Sequence, residues 1–149
     1  MPAIVIGADT GVGRAVVNAL LDRQGEVRAF VSRPAAGAEL KKLGVKVAIG
    51  DVSDASHIGP AALNAFTAVL IAEAAFDERV RSFAGDPEAV IRAWEEALAD
   101  AGVRRIIWVG TSPARESLAS LAPEFIEVSV VDRDLADIAR EVAKRDDAA

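Results

Sequence analysis

The stretch Ala3-Ile4-Val5-Ile6-Gly7-Ala8-Asp9-Thr10-Gly11-Val12-Gly13-Arg14-Ala15-Val16-Val17 decides the fold. Its first part, within residues 2–7, is a short β-branched apolar run with no polar alternation, the pattern of a strand buried on both faces of a parallel sheet. Gly7 ends it. From Gly11 the period changes: Val16, Val17, Leu20 and Leu21 share one helical face, with Arg14, Asn18 and Asp22 opposite. A strand, a glycine-rich loop and a helix in direct succession aim backbone N–H groups and the positive end of a helix at one point, which suits a pyrophosphate. Gly7 allows the tight turn, Gly11 a close phosphate approach and Gly13 close helix–strand packing. Gly7, Asp9, Thr10, Gly11, Val12, Gly13 and Arg14 are therefore the expected phosphate-side residues. The alternative is a glycine-rich turn in an α/β domain that binds nothing.

Working outward, the same two kinds of segment alternate. Residues 26–32 return to strand alternation, and Pro34 opens a second helical stretch that Gly44 closes. Val45, Val47 and Ile49 alternate as a third strand, residues 54–64 read as a short helix and residues 66–72 as a fourth strand. Residues 73–85 fit either a helix face, with Phe76, Val80 and Phe83, or a loop. Asp86-Pro87 is a helix start, and Val90, Trp94, Ala97, Leu98 and Ala101 form its stripe. Residues 103–109 are a fifth strand, 114–121 weakly helical, 125–131 a sixth strand, and Asp132 is expected to cap a last helix to about Lys144. Crossover helices must cover both faces, so the expected fold is a three-layer α/β/α, doubly wound parallel sheet of order 3-2-1-4-5-6, as one domain over 1–149.

In such sheets ligands bind beyond the carboxyl ends of the strands. After the second strand stand Ser32 and Arg33, and no Asp or Glu occurs between Val27 and Ala38. An acid there would hold a ribose 2′-OH; an arginine fork and a hydroxyl suit a 2′-phosphate instead. NADP(H) is thus preferred over NAD(H), and S-adenosylmethionine is disfavoured. The other reading of Arg33 is a solvated loop charge. After the third strand, Asp51 could accept the adenine amino hydrogens with Val52 on the ring, or Asp51 could cap the turn at 52–56.

The spans Ala3–Gly13, Val27–Pro34, Val45–Asp54, Ala68–Ala72 and Gly102–Ser112 resemble the NmrA-like, atypical short-chain dehydrogenase/reductase group. The resemblance implies a Rossmann domain in which a GATGxxG loop holds pyrophosphate, Arg33 reads NADP, Asp51-Val52 holds adenine, and Ala72 faces the cofactor. Val103–Ser112 is similar to the family's fifth-strand segment, and Asp132–Ala139 to its late helix start. Thr10 replaces the family's second glycine, so the spacing is nearer to the GxxxGxG of tyrosine-dependent reductases. Those enzymes use a Tyr-x-x-x-Lys pair, which cannot operate here: the chain has no Tyr, and its lysines are 41, 42, 46 and 144.

Composition narrows the chemistry further. The 149 residues carry 17 Lys and Arg against 23 Asp and Glu, for a net charge of −6, so no broad cationic surface exists for nucleic acid or an anionic membrane. The absence of Cys excludes thiol chemistry and thiolate metal sites, and a single His, His57, excludes a multi-histidine metal cluster within one chain. No run approaches the roughly 18 apolar residues of a spanning helix. A cytoplasmic location is the default expectation. Thr111 and Ser112 could position a substrate or simply form a turn. His57 reads as a surface or adenine-edge residue, and Glu73, Asp77 and Glu78 as a solvated face that could turn toward the site. Trp108 reads as sheet core and Trp94 as core or dimer interface, because the apolar helix 87–101 could pair two chains.

Only about 37 residues follow the fifth-strand segment, where the family usually places a substrate region. A partner, a dimer mate or segment 73–85 would then have to wall the pocket. Hydride transfer to a quinone or flavin needs no side-chain acid. The leading expectation is an NADP(H)-binding protein, as a dinucleotide sensor or binding module. The alternatives are a compact reductase of a quinone-like or carbonyl small molecule, and an α/β scaffold that binds a protein partner.

Overall fold

The computed structural model describes residues 1–23 and 25–147. Six strands form one sheet: β1 (Ala3–Ile6), β2 (Val27–Val31), β3 (Lys46–Ile49), β4 (Thr67–Ile71), β5 (Arg105–Gly110) and β6 (Glu124–Ser129). All pairings are parallel and the order is β3-β2-β1-β4-β5-β6, as the alternation of segments requires. The helices are α1 (Gly11–Leu20), α2 (Pro34–Lys41), α3 (Ala55–Ala62), α4 (Glu73–Phe76), α5 (Pro87–Ala99), α6 (Glu116–Ala119) and α7 (Leu135–Asp146).

Each strand splits its side chains between two cores, because successive residues point to opposite faces. Ile4, Ile6, Leu70, Ile106 and Trp108 pack against Ile58 of α3 and Val90, Trp94 and Leu98 of α5. Ala3, Val5, Val69, Ile71, Ile107 and Val109 pack against Val16, Val17 and Leu20 of α1, Leu40 of α2, and Ile138 and Val142 of α7. These two layers make the fold a three-layer Rossmann-like α/β/α arrangement.

Several expectations need correction. Asp132 does not cap the last helix; it sits at φ 55°, and Asp134 is the cap, its Oδ1 accepting from the Asp137 N–H at 2.8 Å. Two acids two residues apart both fit the pattern, and the left-handed turn at Asp132 gives the later one the cap. Val45 is buried just ahead of β3, but Ile49 is nearly half exposed, because β3 is an edge strand. The apolar stripe of α5 is spent within the chain: Trp94 is fully buried and donates its Nε1–H to the Val52 carbonyl at 2.9 Å. The outward face of α5 carries Glu88, Arg92 and Glu96, so that stripe does not offer a dimer interface.

Among the described residues no helix is long and apolar enough to cross a membrane, and no group of three His, Asp or Glu side chains could hold a metal ion.

Candidate functional site

The order of the sheet reverses between β1 and β4, and the loops after β1, β2, β4 and β5 meet beyond their carboxyl ends. The β1–α1 loop is built around Thr10. This residue is the N-cap of α1: its Oγ1 accepts from the Gly13 N–H at 2.8 Å and donates to the Gly7 carbonyl at 2.8 Å. One hydroxyl therefore ties the end of the strand to the start of the helix, a role that glycine at this position could not fill. Gly7 has φ +90°, and a Cβ on Gly13 would lie 2.0 Å from the Gly7 carbonyl oxygen. Gly11 differs: a Cβ there would meet only Leu135 Cδ1, at 3.8 Å. A side chain here would therefore meet no backbone atom, at the first residue of α1. Val12 is half-buried, whereas Arg14 reaches away to Glu39 on α2 at 3.1 Å.

After β2 the sequence pointed to Ser32 and Arg33; a third group joins them. Asp9, with its side chain 1% exposed, accepts from the Ser32 N–H at 2.9 Å and pairs with Arg79 at 2.9 Å. Arg79, only 9% exposed, also donates to Ser32 Oγ at 3.1 Å and pairs with Asp77 at 2.8 Å. Burial works against its charge, but the Asp77 and Asp9 carboxylates outweigh it and hold the guanidinium pKa above its ordinary value. Arg33 is 69% exposed and donates to the Asp9 carbonyl at 2.5 Å. With Arg81 also on Asp77 at 2.8 Å, three arginines face two aspartates, a local positive surplus on an acidic protein.

Segment 77–83 also reaches the end of β3. Asp51 accepts on Oδ1 from the Ser53 N–H (2.8 Å) and hydroxyl (2.5 Å), and on Oδ2 from the Ser82 N–H (2.7 Å), while the Phe83 N–H donates to Ser53 Oγ at 3.1 Å. Asp51 thus shapes the turn after β3, but the cap of α3 is Asp54. Val52 is fully buried in the core beneath and presents no surface to a ring. His57 accepts on Nδ1 from the Asp51 N–H at 3.1 Å and faces Asp54 through Nε2 at 3.2 Å, a structural role.

Burial raises the cost of ionising both Asp51 and Asp77, yet hydrogen bonds outweigh it in each: from Ser53 and Ser82 to Asp51, and from Arg79 to Asp77. Both folded values lie below the ordinary carboxylate range of about 4. Their contribution is therefore complete above that range and disappears as pH falls through the lower folded values. Hydrogen exchange at the Ser82 amide, corrected for its intrinsic pH dependence, is expected to lose protection only below about pH 4. Loss of protection between pH 5 and 7 would refute the Asp51 anchor.

On the other side of the glycine loop, a cavity of about 340 Å³ opens between the ends of β4 and β5. Val12, Ile71, Ala72, Phe76, Ile91, Trp108 and Val130 make its walls mostly apolar, and Thr111 and Ser112 both line it. Trp108 belongs to the core and to this wall, donating its Nε1–H to the Ser112 carbonyl at 2.9 Å. Of the acids after β4, Glu73 lines the cavity, Asp77 is tied to Arg79 and Arg81, and Glu78 is exposed. Arg79 and the cavity-lining Arg115 were missed from sequence. Arg79 lies in segment 73–85, which fits helix or loop, and Arg115 in the weakly helical 114–121; the only signal for Arg79 is a pair of acids followed by two arginines in Asp77-Glu78-Arg79-Val80-Arg81.

The sequence matches the NAD(P)H-binding family over residues 7–147. No curated protein matches it. Among solved structures it is similar to ChuY, an anaerobillin reductase from Escherichia coli O157:H7, at TM-score 0.71 and 19% identity, covering 99% of this chain and 91% of that one. The NADPH-dependent quinone oxidoreductase QOR2 of Escherichia coli, solved with NADPH, aligns at TM-score 0.59 and 23% identity over 98% of this chain and 45% of its own. Triphenylmethane reductase of Citrobacter sp., complexed with NADP(H), aligns at 0.59 and 19% over 97% and 46%. The chain thus spans under half the length of the last two and nearly all of the first. With a strand–loop–helix unit, a topological switch point and a match over nearly its whole length, the chain belongs to the NAD(P)H-binding family, in line with its resemblance to NmrA-like, atypical short-chain dehydrogenases/reductases.

Proposed function

We propose that this protein is an NADP(H)-dependent reductase of a flat, largely apolar acceptor of the quinone type. The observation that carries the reading is the 340 Å³ cavity, which the chain walls by itself with α4 and residues 112–115. The nicotinamide end of a bound dinucleotide would enter it past Ala72, Thr111 and Ser112, and the apolar remainder beside Phe76, Ile91 and Trp108 is the space a reductase would use for an acceptor.

The dinucleotide would rest its pyrophosphate on the α1 N–H groups over Gly11, with Gly7, Asp9, Thr10, Val12 and Gly13 shaping the loop. Ser32, Arg33 and Arg79 would take the 2′-phosphate. Asp51 would face the adenine, since a carboxylate oxygen that already holds the Ser82 N–H can accept a second donor. When bound, NADPH supplies a hydride at the nicotinamide end, near Ala72, Thr111 and Ser112. The side chains of the cavity then exclude water and hold the acceptor flat. Thr111 and Ser112 are exposed hydroxyls that share the cavity with the Glu73 carboxylate, and they would serve in positioning. A quinone takes its protons from solvent, so the missing tyrosine does not stop the reaction.

Calorimetric titration with NADPH, NADH and NADP+, repeated on Arg33→Ala, tests the cofactor half. NADPH is expected to bind at least ten-fold more tightly than NADH, with Arg33→Ala removing much of that margin. No binding of any dinucleotide would sink the reading and favour the partner-binding scaffold. Steady NADPH oxidation with a quinone panel tests the chemical half; tight NADPH binding without turnover would return the protein to the sensor class.

A further inference from the structure

Two charged side chains line the apolar cavity, Glu73 beyond β4 and Arg115 beyond β5. Arg115 is fixed along one edge. Its Nε donates to Ser117 Oγ at 3.2 Å and its Nη2 lies 3.3 Å from Glu95 Oε1, while Ser117 Oγ in turn donates to Glu95 Oε2. Glu95 comes from α5, whose inner face is packed in the core, so the guanidinium is held from a rigid element rather than by a free loop. Its Nη1 has no hydrogen-bond partner among the described residues, and the side chain is 35% exposed. A guanidinium anchored through Nε and Nη2, with Nη1 uncommitted, on a residue that lines an apolar pocket is suited to recognition: its orientation is set before a ligand arrives, which lowers the entropy lost on pairing. The carboxylate of Glu73, exposed on the other strand end, repels an anion placed the opposite way round and so gives the pocket a polarity.

We infer that the acceptor carries an anionic substituent, a carboxylate or sulfonate on its flat apolar body, and that Arg115 pairs with it through Nη1. This rests on the proposed reductase reading for its place in turnover, but not for the binding itself. Glu95 keeps the Nη2 side of Arg115 in place, so binding need not break the existing pair. The affinity should be salt-dependent, since the pair stays partly exposed.

The test uses two matched probe sets on the full chain. Calorimetry in the presence of saturating NADP+ compares 2-naphthalenesulfonate with 2-naphthol for the wild type, Arg115→Ala and Arg115→Lys. The wild type is expected to bind the sulfonate at least ten-fold more tightly than Arg115→Ala does, with Arg115→Lys between, and 2-naphthol to change less than two-fold. Steady-state kinetics then compares 1,4-naphthoquinone with its 2-sulfonate; Arg115→Ala should raise KM for the sulfonate at least five-fold more than it raises KM for the neutral quinone. Equal losses for charged and neutral probes, or no loss for either, would overturn the inference. Selective sulfonate binding without turnover of either quinone would leave the anion subsite standing and remove the reductase reading. Turnover of both quinones with no response to Arg115→Ala would do the reverse.

Discussion

Gly13→Ala is expected to be strongly destabilised, while Gly11→Ala two residues earlier should be as stable as the wild type. In a helix, alanine is favoured over glycine by up to about 1 kcal/mol. At Gly13 that gain meets a contact of 2.0 Å with the Gly7 carbonyl and 2.8 Å with Ala8 Cα, both backbone atoms that no rotamer change can move. Relief requires parting α1 from β1 and breaking the two Thr10 hydrogen bonds that join them. The net cost should be at least about 3 kcal/mol, at the upper end of overpacking penalties. For a chain of this length that lowers Tm by about 10 °C. At Gly11 the added methyl meets only Leu135 Cδ1 at 3.8 Å, so Tm should hold or rise slightly. The same methyl would stand where a phosphate is proposed, and NADPH binding should weaken at least ten-fold. Thermal melts with calorimetry on both variants settle the matter: a stable Gly13→Ala would contradict the packing, and a Gly11→Ala that binds NADPH normally would remove the phosphate from this loop.

The second large effect is expected at Arg79. Arg79→Ala leaves Asp9, 1% exposed, without its closest cation, and an unpaired buried carboxylate costs about 3 kcal/mol. Asp9→Asn in the same chain should recover part of that loss, because a neutral amide needs no counter-charge; a double-mutant cycle by urea unfolding measures the coupling. Arg79→Lys should fare only slightly better than alanine, since an ammonium cannot reach Asp9, Asp77 and Ser32 together in the way a planar fork does. In the same samples the preference for NADPH over NADH should shrink further than with Arg33→Ala, as the buried cation holds Ser32 as well as adding charge. Additive single-mutant losses at Asp9 and Arg79 would show that the two do not form a pair in solution.

Much of this architecture is legible in the chain because its signals are local. The change of period at Gly7–Gly11, the Asp86-Pro87 start and the stop at Gly102 each lie within a few residues, and right-handed crossovers then leave few sheet orders. What escaped depends on contacts distant in sequence. Arg79 meets Ser32 across 47 positions, and segment 77–83 has no period to announce that it crosses the ends of β2 and β3. Val52 illustrates the opposite failure: its neighbour Asp51 reads as an adenine contact, but the residue itself points into the core because α5 lies over it with Trp94. Segment 73–85 is one of several walls the sequence allows for the pocket, and α4 does supply part of it; residues 112–115 add to it where Ser112 reads as a positioning hydroxyl or a turn and 114–121 as weakly helical, so nothing local marks Arg115 as lining a cavity.

The placement of Trp108 on the cavity wall has a spectroscopic consequence. With no tyrosine, near-ultraviolet emission comes from two indoles, one sealed beneath α5 and one bordering the proposed nicotinamide and acceptor space. Trp94→Phe would leave a single emitter facing that space, so quenching by an aromatic acceptor would report its arrival directly, on a chain that needs no added label.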